Sequence, residues 1–249
     1  MATLLLRLDG PMQSWGTQSR FSVRDTDQEP SKSGVIGLLC AALGRPRSEP
    51  VDDLEKLSMG VRVDRAGRLR MDYHTAQNVA KSGGGIKLCE TSHRYYLSDA
   101  AFLVGLEGDN EELLQTIHEH LSRPRWQLFL GRKSFVPSSP VWLPDGLVNR
   151  SLLDALQEYP WIARSERERR DFVRQVEDEK VQLRMSIEVA DRDVAKFMQK
   201  RPLSIRNDRP MTNYEQRKFG KRHVATHFMH VTASMIVLDQ EACRCSSHS

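Results

Sequence analysis

Rings and cations alternate most densely between Tyr73 and Tyr96. Within that stretch lie Tyr73, His74, Gln77, Lys81, Lys87, His93, Arg94, Tyr95 and Tyr96. Flat side chains beside positive charge are what single-stranded RNA binding uses, because bases stack and phosphates pair. The competing use is plain packing, with Tyr73 and Tyr95 covering a sheet. A second group follows the first apolar run. Gln13, Ser14 and Trp15 sit in a polar loop with Arg20, Arg24 and Lys32 around them. Trp15 either stacks on a base or plugs a sheet edge. Ser31-Lys32-Ser33-Gly34 reads as a helix start, whose free N–H groups suit a phosphate, although Ser at that place is also an ordinary cap. A third group is Arg132 and Lys133 after Gly131, which serve phosphate contact or simple solubility.

These groups call for elements to carry them. Thr3–Leu8 is a buried strand stopped by Gly10-Pro11, and residues 12–30 form a long polar loop. Ser31–Leu43 is an apolar helix ended by Gly44 and Pro46. Met59–Val63 and Ala100–Leu106 are strands, and the second is a continuous apolar run. Asp109 with Glu112 forms a capping box for a helix bearing Leu113, Leu114, Ile117 and Leu121. Gln127–Leu130 is the next strand. With residues 65–99 set aside, the order is βαββαβ, so the fold class is α+β and ferredoxin-like (RRM-like). The excluded part is an inserted thumb β-hairpin over about 68–97, with Gly83-Gly84-Gly85 at its tip. Residues 1–143 form the RNA-binding domain. Residues 144–249 form a smaller, mostly β part with a basic segment and a flexible tail. In it, Arg150–Glu158 is a short helix, the charged 164–179 stretch is a helix or a mobile loop, and Lys180–Val189 and His223–Val231 are strands.

Charge is unevenly placed. The formal net charge is +4. From Lys196 to Arg222, nine Lys or Arg, Arg206 among them, face only Asp208 and Glu215. That local excess suits a polyanion or a solvated face. No apolar stretch reaches the ~20 residues of a membrane span, and Arg7 and Asp9 interrupt any leader-like run after Leu4-Leu5-Leu6. A cytoplasmic protein with no membrane partner is expected. Cys40 reads as a small core residue. Cys243, Cys245 and His248 match no zinc spacing, and on a strand His223 and His227 share a face while His230 points the other way. No metal and no cofactor is therefore expected. The chain shows no His-Glu-x-x-His, P-loop, Gly-x-Ser-x-Gly or two-metal carboxylate set, so no catalytic residue is assigned.

A resemblance adds to these readings. Leu8-Asp9-Gly10-Pro11-Met12-Gln13-Ser14-Trp15-Gly16 and Pro30 to Leu39 resemble the opening of the family-five CRISPR-associated subunits (CasD) of type I-E Cascade. So do Asp72-Tyr73-His74-Thr75, Tyr95 to Ala100, Pro124-Arg125-Trp126 and Leu130-Gly131-Arg132-Lys133, in the same order. The resemblance implies a non-catalytic, RNA-binding subunit that holds the 5′ handle of the crRNA and caps the CasC backbone. It also implies contact with the large CasA subunit, and with other Cascade subunits and target DNA indirectly. Such a ribonucleoprotein complex serves antiviral defence. RNA-binding residues would be Gln13, Ser14, Trp15, Arg20, Arg24, Lys32, Ser33, Tyr73, His74, Gln77, Arg94, Tyr95, Arg132, Lys133 and Arg206. Relatives in another subtype cut RNA, which leaves a metal-independent endoribonuclease around Tyr73 and His74 as the alternative.

Overall fold

A continuous apolar run, Leu4-Leu5-Leu6 with Leu8 after it, builds the first strand of a seven-stranded sheet. In this computed structural model, residues 1–16, 22–81, 83–178, 181–199, 202–231 and 235–236 are described. The strands are β1 (Ala2–Asp9), β2 (Met12–Gln13), β3 (Val23–Arg24), β4 (Ser58–Arg65), β5 (Arg68–Ala80), β6 (Ile86–Ser98), β7 (Ala101–Gly108), β8 (Trp142–Val148), β9 (Gln182–Val189), β10 (Ser204–Pro210) and β11 (Phe219–His230). The helices are α1 (Lys32–Leu43), α2 (Asp52–Glu55), α3 (Glu111–Ser122), α4 (Leu152–Glu158), α5 (Glu166–Asp178) and α6 (Val194–Met198). The large sheet has the order β10-β11-β9-β4-β7-β1-β8. Each of its pairings is antiparallel.

Both faces of this sheet are apolar. Leu4, Leu6 and Leu8 join α1 and α3 in one core, while Leu5 and Leu103 join α4 in the other. That division follows the two-residue period of a strand. On the second face Phe172 of α5 stacks on Trp161, with ring centroids 3.9 Å apart. The charged stretch after Arg164 is thus a helix with an apolar side. The C-terminal strands continue the same sheet, because β9 pairs directly with β4.

Several expectations are corrected. Residues 12–30 are not loop alone: β2 and β3 both pair with β6, β3 in parallel. The cap of α3 is Asn110 rather than Asp109, and its side chain accepts from Leu113 N at 3.0 Å. Gln127–Leu130 forms no strand. Its neighbours Arg125 and Trp126 give their N–H groups to Ala42 and Ala41 at the end of α1, and Gly131 turns left-handed at φ 89°. The strand beside β1 is instead β8. It reads poorly in sequence because it contains Pro144 and Gly146, which an edge strand tolerates.

The hairpin occupies the expected stretch, with arms Arg68–Ala80 and Ile86–Ser98. β5 and β6 stay in one register from Arg68↔Ser98 to Ala80↔Ile86. The turn is closed by Gly84 and Gly85, both at positive φ.

Candidate nucleic-acid interface

At the foot of the hairpin, three strands bring one row of charge together. β3 places Arg24 beside Arg94 of β6, and β5 places Asp72 on the other side of Arg94. Arg132 comes from the loop after Gly131. Its guanidinium donates to Tyr95 O at 2.8 Å and to Arg24 O at 3.3 Å, and lies 5.4 Å from the Phe135 ring centre. Burial lowers the pKa of Arg132, and the neighbouring charges of Arg94 and Arg24 lower it further. Asp72 and Asp25 offset this only in part. Among the described residues, none of the three arginines closes an ion pair with a carboxylate. Like charges held this closely repel one another, so an arriving anion is attracted to all three.

Gly131 makes this arrangement possible. A Cβ there would sit 1.7 Å from the Ser14 carbonyl oxygen, so no other residue fits without moving the backbone. Ser14 in turn gives its N–H to Leu130 O at 3.1 Å and its hydroxyl to Tyr95 O at 3.2 Å. Loop and hairpin are therefore fastened to each other through backbone atoms.

The sequence-predicted residues divide into three sets. Arg24, His74 and Arg94 share one face of the hairpin by the alternation of strand side chains, and Arg132 reaches the same place. Tyr73, Gln77 and Tyr95 project to the opposite face. There Tyr73 meets His93 edge-on, with centroids 5.3 Å apart, beside the exposed Leu69 and Met71. Tyr73 and His74 thus point away from each other, although they are adjacent in sequence. Lys133 is exposed on the far side of the Gly131 turn.

The third set is committed to structure. Trp15 is 1% exposed and lies against Gly34 of α1, so it plugs the core rather than offering a ring to solvent. Gln13 is fully buried. Its amide donates to Leu8 O and Ala100 O and accepts from the Trp15 indole N–H. Lys32, also buried, ion-pairs with Glu188 at 2.8 Å. Burial lowers its pKa, and Glu188 offsets part of that. The start of α1 is not an open anion site. Asp208 accepts from Lys32 N at 2.8 Å, and Ser31 caps Gly34 N. Ser33 is half-buried, with its carbonyl accepting from the Tyr214 hydroxyl. Arg206 is paired with Glu29. Arg20, Cys243, Cys245 and His248 lie outside the described residues.

The basic segment that suits a polyanion or a solvated face is neutralised in part by distant carboxylates. Besides Arg206, Arg209 pairs with Glu55 and Arg222 with Asp208. Arg217, Lys218 and Lys221 are exposed. Among the described residues, no group of three or more His, Cys, Asp or Glu could hold a metal ion, and no helix is long and apolar enough to cross a membrane.

Residues 3–225 match the family model described as CRISPR-associated protein (Cas_Cas5). The chain belongs to this family. The matched span runs from β1 into β11 and takes in the hairpin and all three arginines. One relative, the CRISPR system Cascade subunit CasD of Escherichia coli (strain K12), is 35% identical over 158 residues. The alignment covers 56% of this chain and 69% of that relative. A crystal structure of a Cas protein is similar at 42% identity and a TM-score of 0.69, covering 92% of this chain and 95% of that one. A chain of a CRISPR RNA-guided surveillance complex is similar at 32% identity and a TM-score of 0.71, covering 94% of this chain and 92% of that one.

Proposed function

We propose that this family member is a structural, non-catalytic subunit of a type I-E Cascade surveillance complex in the cytoplasm, and that it holds the 5′ handle of the guide RNA at the foot of its hairpin. The observation that carries this reading is the row of Arg24, Arg94 and Arg132, gathered from three parts of the chain with no carboxylate paired to any of them among the described residues. Family membership and the likeness to a surveillance-complex chain support the setting. The reading treats residues 1–143 as the RNA-binding part. It takes β8-β1-β7-β4 with α1 and α3 as a ferredoxin-like unit, which the strand order and antiparallel pairing support. Of residues 144–249, those up to Val148 complete β8 of that unit and the rest extend it. The apolar hairpin face of Leu69, Met71 and Tyr73 suits a protein neighbour, with the CasC backbone the proposed partner there and the large CasA subunit another. Target DNA is reached through these partners.

Reversing Arg24 and Arg132 to Glu tests the RNA assignment. Each charge-assisted hydrogen bond is worth ~1.5–3 kcal/mol, so guide-RNA affinity falls by roughly tenfold or more for each arginine reversed. The salt slope flattens by about 0.7 for each single-strand phosphate that is no longer neutralised. Unchanged affinity and slope in a folded double variant would remove the assignment. The separation of Tyr73 and His74 onto opposite faces speaks for the non-catalytic part, since both would have to reach one 2′-hydroxyl and its phosphate. Repeat RNA incubated with the protein in EDTA should stay intact. A discrete product lost on changing Tyr73 would restore the endoribonuclease reading.

A further inference from the structure

Between α1 and residues 126–133 lies a cleft of about 830 Å³, within the ~300–1,000 Å³ typical of small-ligand sites. Its floor is one side of α1, lined by Gly34, Gly37, Leu38 and Ala41. Trp126, 46% exposed, forms one wall. That wall is fixed: Arg125 N and Trp126 N donate to Ala42 O and Ala41 O at 2.9 and 3.1 Å. Tyr214 forms the other side, held by its hydroxyl on Ser33 O and by its N–H on Arg47 O at 3.2 Å. Arg47 and Lys133 are exposed at the rim. Among the described residues, no Asp or Glu lines the cleft.

We propose that this cleft takes one unstacked nucleotide of the guide RNA, its base against Trp126 and its phosphate between Arg47 and Lys133. The proposal rests on the RNA-binding reading above and assigns that reading a second, separate pocket. An aromatic plane over a flat apolar floor accepts any base, because every base has a π-face. Arg45, which also lines the cleft, is taken up by Asp53, whereas the exposed Arg47 and Lys133 at the rim match the phosphate that follows the base. Continuity selects RNA over a partner's side chain. Arg132 faces the arginine row and Lys133, the next residue, faces the cleft. The forced turn at Gly131 therefore joins the two sites into one positive path.

Gly37 allows a clean test. A Cβ there meets only the Tyr214 ring at 3.8 Å, an ordinary contact, and its backbone is helical, so a side chain can be added without a backbone clash and Gly37→Leu is the variant that fills the cleft. The full-length chain is titrated with a guide 5′-handle oligonucleotide and with a series carrying one abasic nucleotide at each position. In the wild-type protein, one abasic position should weaken binding about tenfold, the size of one base–aromatic stack. Gly37→Leu should weaken the intact RNA by a similar factor and make that abasic position neutral. Trp126→Ala, at an exposed side chain, should do the same and carries the test if Gly37→Leu fails to fold. Unchanged affinity in both folded variants overturns the pocket. So does loss of affinity with every abasic effect still additive. So does intact RNA binding combined with failure to assemble with neighbouring subunits, which would make the cleft a protein socket. If the Arg24/Arg132 reversal still abolishes binding in those cases, the RNA-binding reading stands and only the pocket falls. If the reversal has no effect either, both fall.

Discussion

At Arg222 the guanidinium rests on both oxygens of the Asp208 carboxylate, at 2.6 and 2.8 Å, and is almost wholly buried. At Arg132 it meets two backbone carbonyls and the fields of two further arginines. The segment around Arg222 is the more basic in sequence, yet three of its cations, Arg206, Arg209 and Arg222, meet carboxylates of the same chain. The hairpin foot has fewer cations, drawn from three separate stretches, and leaves them for something outside. Positive charge in a sequence therefore says little about a polyanion until its partners are known. Where a carboxylate arrives from elsewhere in the chain, the cation is structural. Where none does, it is available to a ligand.

The comparison breaks first on stability. Asp208→Ala leaves Arg222 buried and uncompensated and uncovers Lys32 N, so it should cost ~3–5 kcal/mol, the usual penalty for removing one partner of a buried pair. Urea unfolding measures it. A loss below ~1 kcal/mol, the surface-pair range, would mean that the C-terminal cations are no more structural than those of the hairpin.

The acid side sharpens the contrast next. Burial by itself would raise the pKa of the Asp208 carboxyl. The hydrogen bond and charge of Arg222, with the Lys32 N–H and the charge of Arg206, together outweigh that and hold it below the ordinary carboxylate value. A lowered folded-state pKa contributes stability that is present above the unfolded value of ~3.9 and is lost as pH falls through the folded value. Between the two values Asp208 adds a slope of up to ~1.4 kcal/mol per pH unit. Stability curves for Asp208→Asn should be shallower by that amount below about pH 4, whereas Arg24→Gln should leave the acid limb as it is.

The smallest effect is the mirror of the first. Arg94→Gln should change stability by no more than ~0.5 kcal/mol, as surface substitutions do, and relief of repulsion with Arg24 and Arg132 favours the upper side of zero. Thermal melts of the isolated chain read this out. A clear loss of stability would place Arg94 among the structural cations.

Much of the architecture was legible because it is written locally. The periodicity of Leu4, Leu6 and Leu8, the Ser31 cap with Gly44, and the alternation from Leu183 to Val189 each mark an element within a dozen residues. β8 was not legible, since Pro144 and Gly146 look like loop until an edge position excuses them. The site was legible only in part, for the same reason in reverse. Arg24, Arg94 and Arg132 stand out as cations near rings. Lys32 and Arg206 look alike in sequence and differ only through Glu188 and Glu29, which lie 156 and 177 residues away. Trp15 suffered likewise: a tryptophan in a polar loop signals a ligand or a plug, and Gly34 opposite it decides for the plug. The α1 cleft had no local signal, because its walls come from residues 33–47, 126–133 and Tyr214.

The Asp208 contact at the start of α1 also sets an order of events on the ribosome. Lys32 is made early, but the carboxylates it needs are Glu188, 156 residues later, and Asp208, 176 residues later. At ~5–20 residues per second of synthesis, the wait is roughly 8–35 seconds. Throughout it, burying the Lys32 ammonium would leave a charge without a partner, so the first helix cannot settle onto the nascent strands with its N-terminal turn closed. The hairpin needs nothing from the last third of the chain for its own pairing and is free to form meanwhile. The hairpin is thus built first, and the body that anchors it locks only when translation is nearly complete.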